Sequence, residues 1–324
     1  MNKKTIEWLL QGEPWIQYRT RVELLGQTEE DPQVVATRKA MLADAKVQSL
    51  LVELADWPGV VLNSHRSASQ PFHKLAFIAD LGLNVSDPPV KKIAKKVMEH
   101  QSAQGPFQLP MNIPSHFGGS GKDEGAWALC DAPVVVFALV KMGLRDDKRV
   151  QNAVSYLDGL VCENGWHCVV SPELGKFRGP GRKDDPCPYA TLVMLKVLAQ
   201  IPELQEGKSA KTGVETLLAL WDKSKEQHPY MFFMGTNFRK LKAPLFWYDI
   251  LNVLEVLSHF KSARKDKRFK DMLKVVESKA DGDGRFVPES VWTAWKDWDF
   301  SQKKLPSRGL TLFVLRILNN VNNG

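Results

Sequence analysis

Three cysteines and one histidine have the side-chain chemistry of zinc ligands. Cys130 and Cys187 each come shortly before a proline that opens an apolar stretch, and His167 and Cys168 are neighbours in the segment between them. Thiolates and imidazole are suitable zinc ligands, and four such groups can close a tetrahedral site. The sequence therefore offers a candidate zinc site, and ordinary buried cysteines are the alternative.

Basic side chains are concentrated in segments that lead into apolar stretches. Two of these segments supply Arg178, Arg182 and Lys183, and then Arg239, Lys240 and Lys242. If helices follow, the positive end of each helix dipole adds to this charge and suits an anion. Bidentate recognition of a phosphate or carboxylate favours the arginines over the lysines. We therefore predict an anionic-ligand site, with solvated loop cations as the alternative.

Two charged residues interrupt otherwise apolar stretches at the same offset from a proline. Arg19 and Asp249 each lie five residues beyond one, and Asp249 is a candidate catalytic acid. A buried charge is costly without a partner, so we expect each to face a cavity or to find a counter-ion. The neighbouring aromatic residues suit an isoprenoid chain or a carbocation, and equally an ordinary core. They are Tyr18, Trp247 and Tyr248.

Six of the 19 prolines each begin an apolar stretch of helical character. Their successive spacings are 57, 62, 55, 56 and 62 residues, along Pro14, Pro71, Pro133, Pro188, Pro244 and Pro306. Proline suits the first turn of a helix, because the missing N–H has no intrahelical acceptor there. The spacing predicts six buried helices that start at these prolines.

More polar helical stretches alternate with the proline-led ones. Four begin at an aspartate that is typical of an N-cap, namely Asp31, Asp87, Asp147 and Asp266. A stretch near 212–214 takes the remaining place, and a short helix is predicted near 4–11. In 89–99 the apolar residues have the spacing of a one-sided helix; these are Val90, Ile93, Ala94, Val97 and Met98.

This alternation predicts an all-α fold and a single domain over 1–324. Six buried helices and five or six outer ones suit a closed double ring, because the first and last proline-led helices are as apolar as the middle ones. An open solenoid, whose ends need polar faces, is the alternative. No strand alternation or interdomain linker is visible in the sequence.

The loops after three outer helices carry a glycine followed closely by an aromatic residue. They read Gln101-Ser-Ala-Gln-Gly-Pro-Phe107, Gly165-Trp166 and Gly284-Arg-Phe286. The first resembles the Gln-x-x-x-Gly-x-Trp/Phe repeat of squalene–hopene cyclases and protein prenyltransferase β-subunits. The resemblance implies an α/α toroid, in which ligand sites lie where the inner helices begin.

The same resemblance implies roles for particular residues. The segment 175–189 is similar to the zinc and diphosphate segment of protein farnesyltransferase β-subunits. This similarity implies that Arg182 and Lys183 contact diphosphate and that Asp185 and Cys187 ligate zinc. The family takes a histidine from the start of the next inner helix, where this chain has Leu241-Lys-Ala243. Tyr189, which follows the segment's last proline, is a further candidate ligand-binding residue.

Squalene–hopene cyclases carry Asp-x-Asp-Asp at the start of an inner helix. The stretch Ala128-Leu-Cys-Asp131 resembles that motif in its last acid. The resemblance implies that Asp131 is a catalytic acid, whose proton must be held by burial and hydrogen bonds. A helix N-cap is the alternative role.

The segment 286–304 fits neither a helix nor a strand period. It contains Trp292, Trp295 and Trp298. We expect it to cover the mouth of the ring or to pack over the last inner helix. A stacking surface for a sugar or a nucleobase is the alternative.

The composition is that of an ordinary globular protein. The 324 residues are 44% apolar and 25% charged, with a net charge of +7 and four cysteines. No apolar run reaches the roughly 18 residues of a membrane span. Polar residues interrupt the N-terminal stretch, so we expect no signal peptide and a cytoplasmic location.

Together these features predict a prenyltransferase- or terpene-cyclase-like protein. Its expected ligand is anionic and partly apolar, such as an isoprenoid diphosphate, and zinc is the candidate cofactor. The alternative is a non-catalytic helical-repeat scaffold that binds nucleic acid or an acidic protein partner. Binding of nucleic acid through phosphates would weaken steeply with salt.

Overall fold

The computed structural model describes residues 2–62, 64–177, 179, 184–224 and 232–323, and this part of the chain is mostly helical. Its α-helices are α1 (Lys3–Leu9), α2 (Pro14–Arg19), α3 (Pro32–Ala43), α4 (Ala45–Leu54), α5 (Pro71–Asp80), α6 (Pro88–Glu99), α7 (Ala132–Leu139), α8 (Lys148–Asp158), α9 (Pro188–Leu198), α10 (Pro202–Gln205), α11 (Lys208–Asp222), α12 (Ile250–Leu257), α13 (Lys261–Lys265), α14 (Lys267–Glu277) and α15 (Arg308–Asn323). A π-helical turn extends α2 over Thr20–Leu24, and another extends α7 over Val140–Leu144. No helix in the described ranges is both long enough and apolar enough to cross a membrane.

The chain forms two compact units. The terminal unit comprises residues 1–50 and 234–324, and the central unit comprises residues 51–233. The prediction that the whole chain is one domain stays a prediction.

Four of the six prolines begin helices as predicted, because α2, α5, α7 and α9 each carry proline in the first turn. The prediction is wrong for Pro244 and Pro306. Helix α12 begins at Ile250, where the side chain of Asp249 accepts a hydrogen bond from the N–H of Asn252 at 3.0 Å. Helix α15 begins after Ser307, whose hydroxyl caps it. In both cases a capping side chain beyond the proline marks the start of the helix.

The polar helices begin where the aspartates predict. Asp31, Asp147 and Asp266 each accept a hydrogen bond from the N–H two residues ahead, at the starts of α3, α8 and α14. Asp87 precedes α6 without such a bond. Helix α6 buries its apolar face as the spacing predicted, and the buried residues are Val90, Ile93, Ala94, Val97 and Met98.

Two short antiparallel hairpins correct the expectation that the chain has no strands. Strand β1 (Leu109–Met111) pairs with β2 (Glu124–Ala126), and β3 (Val161–Cys162) pairs with β4 (Gly165–Trp166). The hairpins come after the polar helices α6 and α8 and are too short to show an alternating pattern in the sequence.

The central unit is built around α7, all of whose residues are buried. Helix α7 packs against α5 and α9, and α11 packs against α9. In the loops after α6 and α8, Gly105 and Gly165 have φ angles of 118° and 109°, which favour glycine. Phe107 and Trp166 follow these glycines and are fully buried. The predicted glycine–aromatic loops after α6 and α8 therefore both use glycine at a position with a positive φ angle.

In the terminal unit, α15 packs against α2 and α12, and α12 packs against α14. The tryptophan-rich segment belongs to this core. Trp298 stacks on Phe300 with ring centroids 5.8 Å apart, and Trp15 of α2 lies 6.0 Å from Trp298 and 6.1 Å from Phe313 of α15. The segment therefore packs with α2 and α15 in the core of the terminal unit, which agrees with the expectation that it packs against the last apolar helix.

Candidate functional site

A row of backbone hydrogen bonds joins the starts of α7 and α9 in the central unit. The N–H of Cys187 donates to the carbonyl oxygen of Trp166 at 2.8 Å, and the N–H of Leu129 donates to that of Val169 at 3.0 Å. The first residue of the segment 166–170 therefore contacts the chain just before α9. A residue near the end of the same segment contacts the chain just before α7. This arrangement brings one cysteine from each of three segments together.

These cysteines, Cys130, Cys168 and Cys187, form what we call the thiol cluster. The thiol of Cys130 hydrogen-bonds to both of the others. The sulfur of Cys168 accepts a hydrogen bond from the N–H of Gly179 at 3.1 Å, and that of Cys187 accepts one from the N–H of Ala190 at 3.4 Å. All three are free thiols and half-buried.

The hydrogen bonds move the thiol pKa values in opposite directions. The pKa of Cys130 is raised well above its ordinary value, because its thiol bonds to Cys168 and Cys187 and is also buried. The pKa of Cys187 is lowered by the hydrogen bond from Cys130 and by backbone N–H groups of α9, which outweigh the effect of burial. Of this pair, Cys187 is the thiol that ionises first.

The residue next to Cys130 is Asp131, which is fully buried at the start of α7. Its side chain makes no capping hydrogen bond to the helix. Instead Oδ2 lies 3.1 Å from Nδ1 of His65, and Oδ1 accepts a hydrogen bond from the N–H of Ala128 at 3.3 Å. Burial raises the pKa of Asp131, and the contact with His65 partly opposes this increase. The N-cap role is therefore not the one its carboxyl group performs.

His65 is held in place by a second histidine. Nε2 of His73, in the first turn of α5, donates a hydrogen bond to the backbone carbonyl oxygen of His65 at 2.8 Å. His73 is buried, and burial lowers its pKa to about 3, so the ring is neutral at physiological pH. A neutral ring still carries one N–H, which this contact uses.

Tyr189 also belongs to this region. It is fully buried in the first turn of α9. Burial raises its pKa well above the ordinary value, so the hydroxyl stays protonated. The starts of α5, α7 and α9 supply an acid, a histidine, a phenol and two thiols, and the neighbouring segments add His65 and the thiol of Cys168.

The predicted zinc set is not assembled. Nε2 of His167 lies 2.6 Å from Oδ1 of Asn164, three residues earlier in the same turn, and so bonds locally. Asp185 is half-buried two residues before Cys187. Among the described residues, no group of three or more His, Cys, Asp or Glu side chains is arranged to hold a metal ion. The thiols of Cys130 and Cys187 are instead in hydrogen-bond contact, and we derive no chemistry through zinc.

The basic residues before α9 and α12 have different outcomes. Arg178, Arg182 and Lys183 lie outside the described residues, so their predicted role stays a prediction. Lys240 donates a hydrogen bond to Oδ1 of Asn237 at 3.0 Å, and Lys242 lies over the ring of Trp292, 3.3 Å from its centroid. Arg239 is half-buried, and its carbonyl oxygen accepts a hydrogen bond from Lys279 at 2.5 Å.

The other predicted residues of the terminal unit serve the helix core. Asp249 is buried and caps α12. The ring centroid of Tyr248 lies 5.1 Å from that of Phe238, and the carbonyl oxygen of Trp247 accepts a hydrogen bond from the side chain of Asn252 at 2.8 Å. These contacts favour the core alternative over an aromatic wall.

Arg19 finds its counter-ion one helical turn away, at Glu23. Glu23 also lies 3.5 Å from Nε of Arg316, whose Nη2 lies 3.2 Å from Oε1 of Glu255. Nε2 of His259 lies 3.3 Å from the same carboxylate oxygen. We call these five residues the buried ion network. It compensates the charge of Arg19, as the counter-ion prediction required.

A separate cavity of about 340 Å³ lies between α8 and α10. It contains none of the predicted site residues. Its lining mixes charges of both signs, including Arg145, Asp158 and Glu203. The ion pair between Arg145 and Glu203, 2.6 Å apart, is exposed, so this cavity has the character of a surface groove.

The sequence offers Cys168 as a candidate zinc ligand, but it does not identify His65 as a partner of Asp131. His65 precedes Asp131 by many residues, and no local spacing links them. The sequence does contain a signal for Cys168. It lies just after the glycine–aromatic pair Gly165-Trp166, in one of the loops that the repeat marks.

Comparisons with known proteins add little. No protein-family model matches the chain, and no curated protein matches it. Among solved structures, the chain is similar to a protein from Actinoplanes, with 14% sequence identity and a TM-score of 0.42, over 95% of this chain and 90% of that one. At this level of similarity the match carries no inference about function.

Proposed function

We propose that this protein is a terpene-cyclase-like α/α toroid in which Asp131 donates a proton to an apolar, partly anionic ligand of the isoprenoid diphosphate type. The observation that carries the proposal is the environment of Asp131. Its carboxyl group is fully buried, its pKa is raised by burial, and Nδ1 of His65 lies 3.1 Å away.

Acid catalysis on a carbon–carbon double bond needs a carboxylic acid that keeps its proton until the substrate is bound. A hydrated carboxyl group loses its proton near its ordinary pKa, whereas burial disfavours the charged form. After transfer, the carboxylate of Asp131 must be protonated again. The side chain of His65 is 21% exposed and contacts the carboxylate, so it can relay a proton from solvent to Asp131.

The surroundings of Asp131 suit an apolar ligand. Helix α7 contains only apolar residues, and most residues of α9 are buried and apolar. Tyr189 adds a buried aromatic ring in the first turn of α9, and an aromatic ring can stabilise a carbocation. The diphosphate is assigned to the basic segment before α9, where Arg182 and Lys183 remain the predicted contacts.

The decisive experiment compares two matched substitutions, Asp131→Asn and Asp249→Asn. Both carboxyl groups are buried immediately before an inner helix, but only Asp249 caps its helix, and asparagine is an equally good cap. Each protein is incubated with geranyl, farnesyl and geranylgeranyl diphosphate and with squalene. Binding is measured by thermal shift, and products are analysed by mass spectrometry.

We expect at least one probe to stabilise the wild-type protein and to be converted. Asp131→Asn should retain the stabilisation and lose conversion by about 10²-fold or more, the usual contribution of a general acid, while Asp249→Asn should retain both. The proposal fails if none of the probes stabilises the folded protein, or if Asp131→Asn converts them as fast as the wild type.

The scaffold alternative predicts a different result. Nucleic acid or an acidic protein would bind with an affinity that falls steeply with salt and does not depend on Asp131.

We also propose a cytoplasmic location, since all four cysteines are free thiols and a reducing compartment preserves them.

A further inference from the structure

The thiol cluster offers a second chemistry, which proton transfer by Asp131 does not use. We propose that it is a thiol–disulfide exchange site, in which Cys187 attacks a low-molecular-weight disulfide and Cys130, already hydrogen-bonded to Cys187, completes the exchange. The co-reactant is a small disulfide because the three thiols are half-buried and a protein disulfide would not reach them.

The position of Cys187 favours attack. It immediately precedes α9, a helix of 11 residues, and its sulfur accepts a hydrogen bond from the N–H of Ala190 at 3.4 Å. The N-terminal N–H groups and the helix dipole stabilise negative charge on sulfur. The thiolate is the attacking species in disulfide exchange, so this sulfur is the expected nucleophile.

The backbone holds the second thiol within reach. Cys130 follows Leu129, whose N–H donates to Val169, and Cys187 donates its own N–H to Trp166. Residues 166–170 thus fix both segments, and the contact between the sulfurs of Cys130 and Cys187 does not rest on a single flexible loop. Cys168 lies on the connecting segment and hydrogen-bonds to Cys130.

The exchange balances in two steps. The thiolate of Cys187 attacks one sulfur of the small disulfide, which forms a mixed disulfide and releases one small thiolate. Cys130 then gives its proton to solvent and attacks the sulfur of Cys187, which forms the Cys130–Cys187 disulfide and releases the second small thiolate. Both leaving thiolates take up protons. Two electrons pass from the two protein thiols to the small disulfide, which is reduced to two thiols.

The test uses oxidised glutathione on the full chain in a Cys162→Ser background. Cys162 is exposed and outside the cluster, so removing it leaves the half-buried thiols as the reactive ones. Loss of free thiols is followed with time, and linked peptides are identified by mass spectrometry. Cys130→Ser and Cys187→Ser are then added singly, and circular dichroism checks that each protein is folded.

We expect the Cys162→Ser protein to form a disulfide between Cys130 and Cys187. Cys130→Ser should stop at a glutathione adduct on Cys187, and Cys187→Ser should lose thiols at least about tenfold more slowly. The proposal is overturned if the folded Cys162→Ser protein keeps all its thiols, if the adduct in Cys130→Ser is on Cys168, or if Cys187→Ser reacts at the unchanged rate.

Discussion

The starts of α9 and α15 have the same backbone arrangement and different chemistry. Before α9, the N–H of Cys187 bonds to the carbonyl oxygen of Trp166 at 2.8 Å, and the N–H of Trp166 bonds to the hydroxyl of Thr191 at 3.1 Å. Before α15, Ser307 bonds in the same way to Phe286 at 2.9 Å, and Phe286 bonds to Thr311 at 3.1 Å. The repeat therefore places a cysteine in the central unit where the terminal unit has a serine.

The two caps are completed differently. The hydroxyl of Ser307 accepts a hydrogen bond from the N–H of Leu310 at 3.0 Å and donates one to the carboxylate of Asp299 at 2.9 Å. The sulfur of Cys187 accepts a longer bond, at 3.4 Å, from the N–H of Ala190 and is in contact with another thiol. Sulfur is the weaker acceptor. The serine site is a good helix cap, whereas the cysteine site is a weaker cap that carries the thiol proposed as the nucleophile.

The buried charged side chains of the terminal unit and the buried carboxyl group of Asp131 in the central unit have different surroundings. In the terminal unit, every member of the buried ion network contacts a residue of opposite charge or a histidine. In the central unit, the fully buried carboxyl group of Asp131 lies 3.1 Å from the partly exposed ring of His65. A compensated charge indicates a structural role, whereas burial that raises the pKa of a carboxyl group is consistent with the proton-donor role proposed for Asp131.

The largest effect should come from breaking the buried ion network. Glu255→Ala removes a carboxylate that lies 3.2 Å from Arg316, and both side chains are buried. Loss of one partner of a buried pair costs about 3–5 kcal/mol, which urea denaturation would measure. Asp271→Ala, in the exposed pair with Lys274 at 3.5 Å, should cost less than about 1 kcal/mol. Equal losses would contradict a structural role for the network.

The second prediction concerns the pH dependence of the central unit. Burial lowers the pKa of His73 from 6.5 to about 3 in the folded protein, so between these values the unfolded chain binds one more proton. The free energy of unfolding is therefore unaffected by His73 well above pH 6.5. Below that pH it decreases by about 1.4 kcal/mol for each pH unit. Between pH 6.5 and 5 this amounts to about 2 kcal/mol.

The measurement is the free energy of unfolding as a function of pH. His73→Gln should remove this part of the slope, and His116→Gln, at an exposed position, should keep it. If the slopes of the wild type and His73→Gln coincide, His73 is not buried as a neutral ring.

The smallest effect tests the two caps directly by exchanging their residues. Ser307→Cys should destabilise the protein by about 1 kcal/mol, because the thiol is a weaker cap than the hydroxyl. Cys187→Ser should change stability by less than about 0.5 kcal/mol, since the shorter hydroxyl still reaches the N–H of the first turn. A large loss in Cys187→Ser, with none in Ser307→Cys, would reverse the assignment of structural and chemical roles.

The sequence predicts local features of the fold well and the site only in part. Asp31, Asp147 and Asp266 cap helices because their side chains reach N–H groups two residues away, which is a local property. Pro244 and Pro306 mislead because the start of each helix is set by a later cap, at Asp249 and Ser307. The pairing of His65 with Asp131 depends on the packing of α5 against α7, and no single-sequence spacing encodes that packing. The same limit applies to His167, because its place next to Cys168 in the sequence does not show that its ring contacts Asn164.

The most direct test of this account is the protonation state of Asp131. Infrared difference spectroscopy between the wild type and Asp131→Asn can follow the carbonyl band of the protonated carboxyl group as the pH is raised. We predict that this band persists above the ordinary carboxyl pKa of 3.8, because burial holds the proton on Asp131. Loss of the band at or below that value would show that Asp131 is an ordinary carboxylate and would contradict its role as the proton donor.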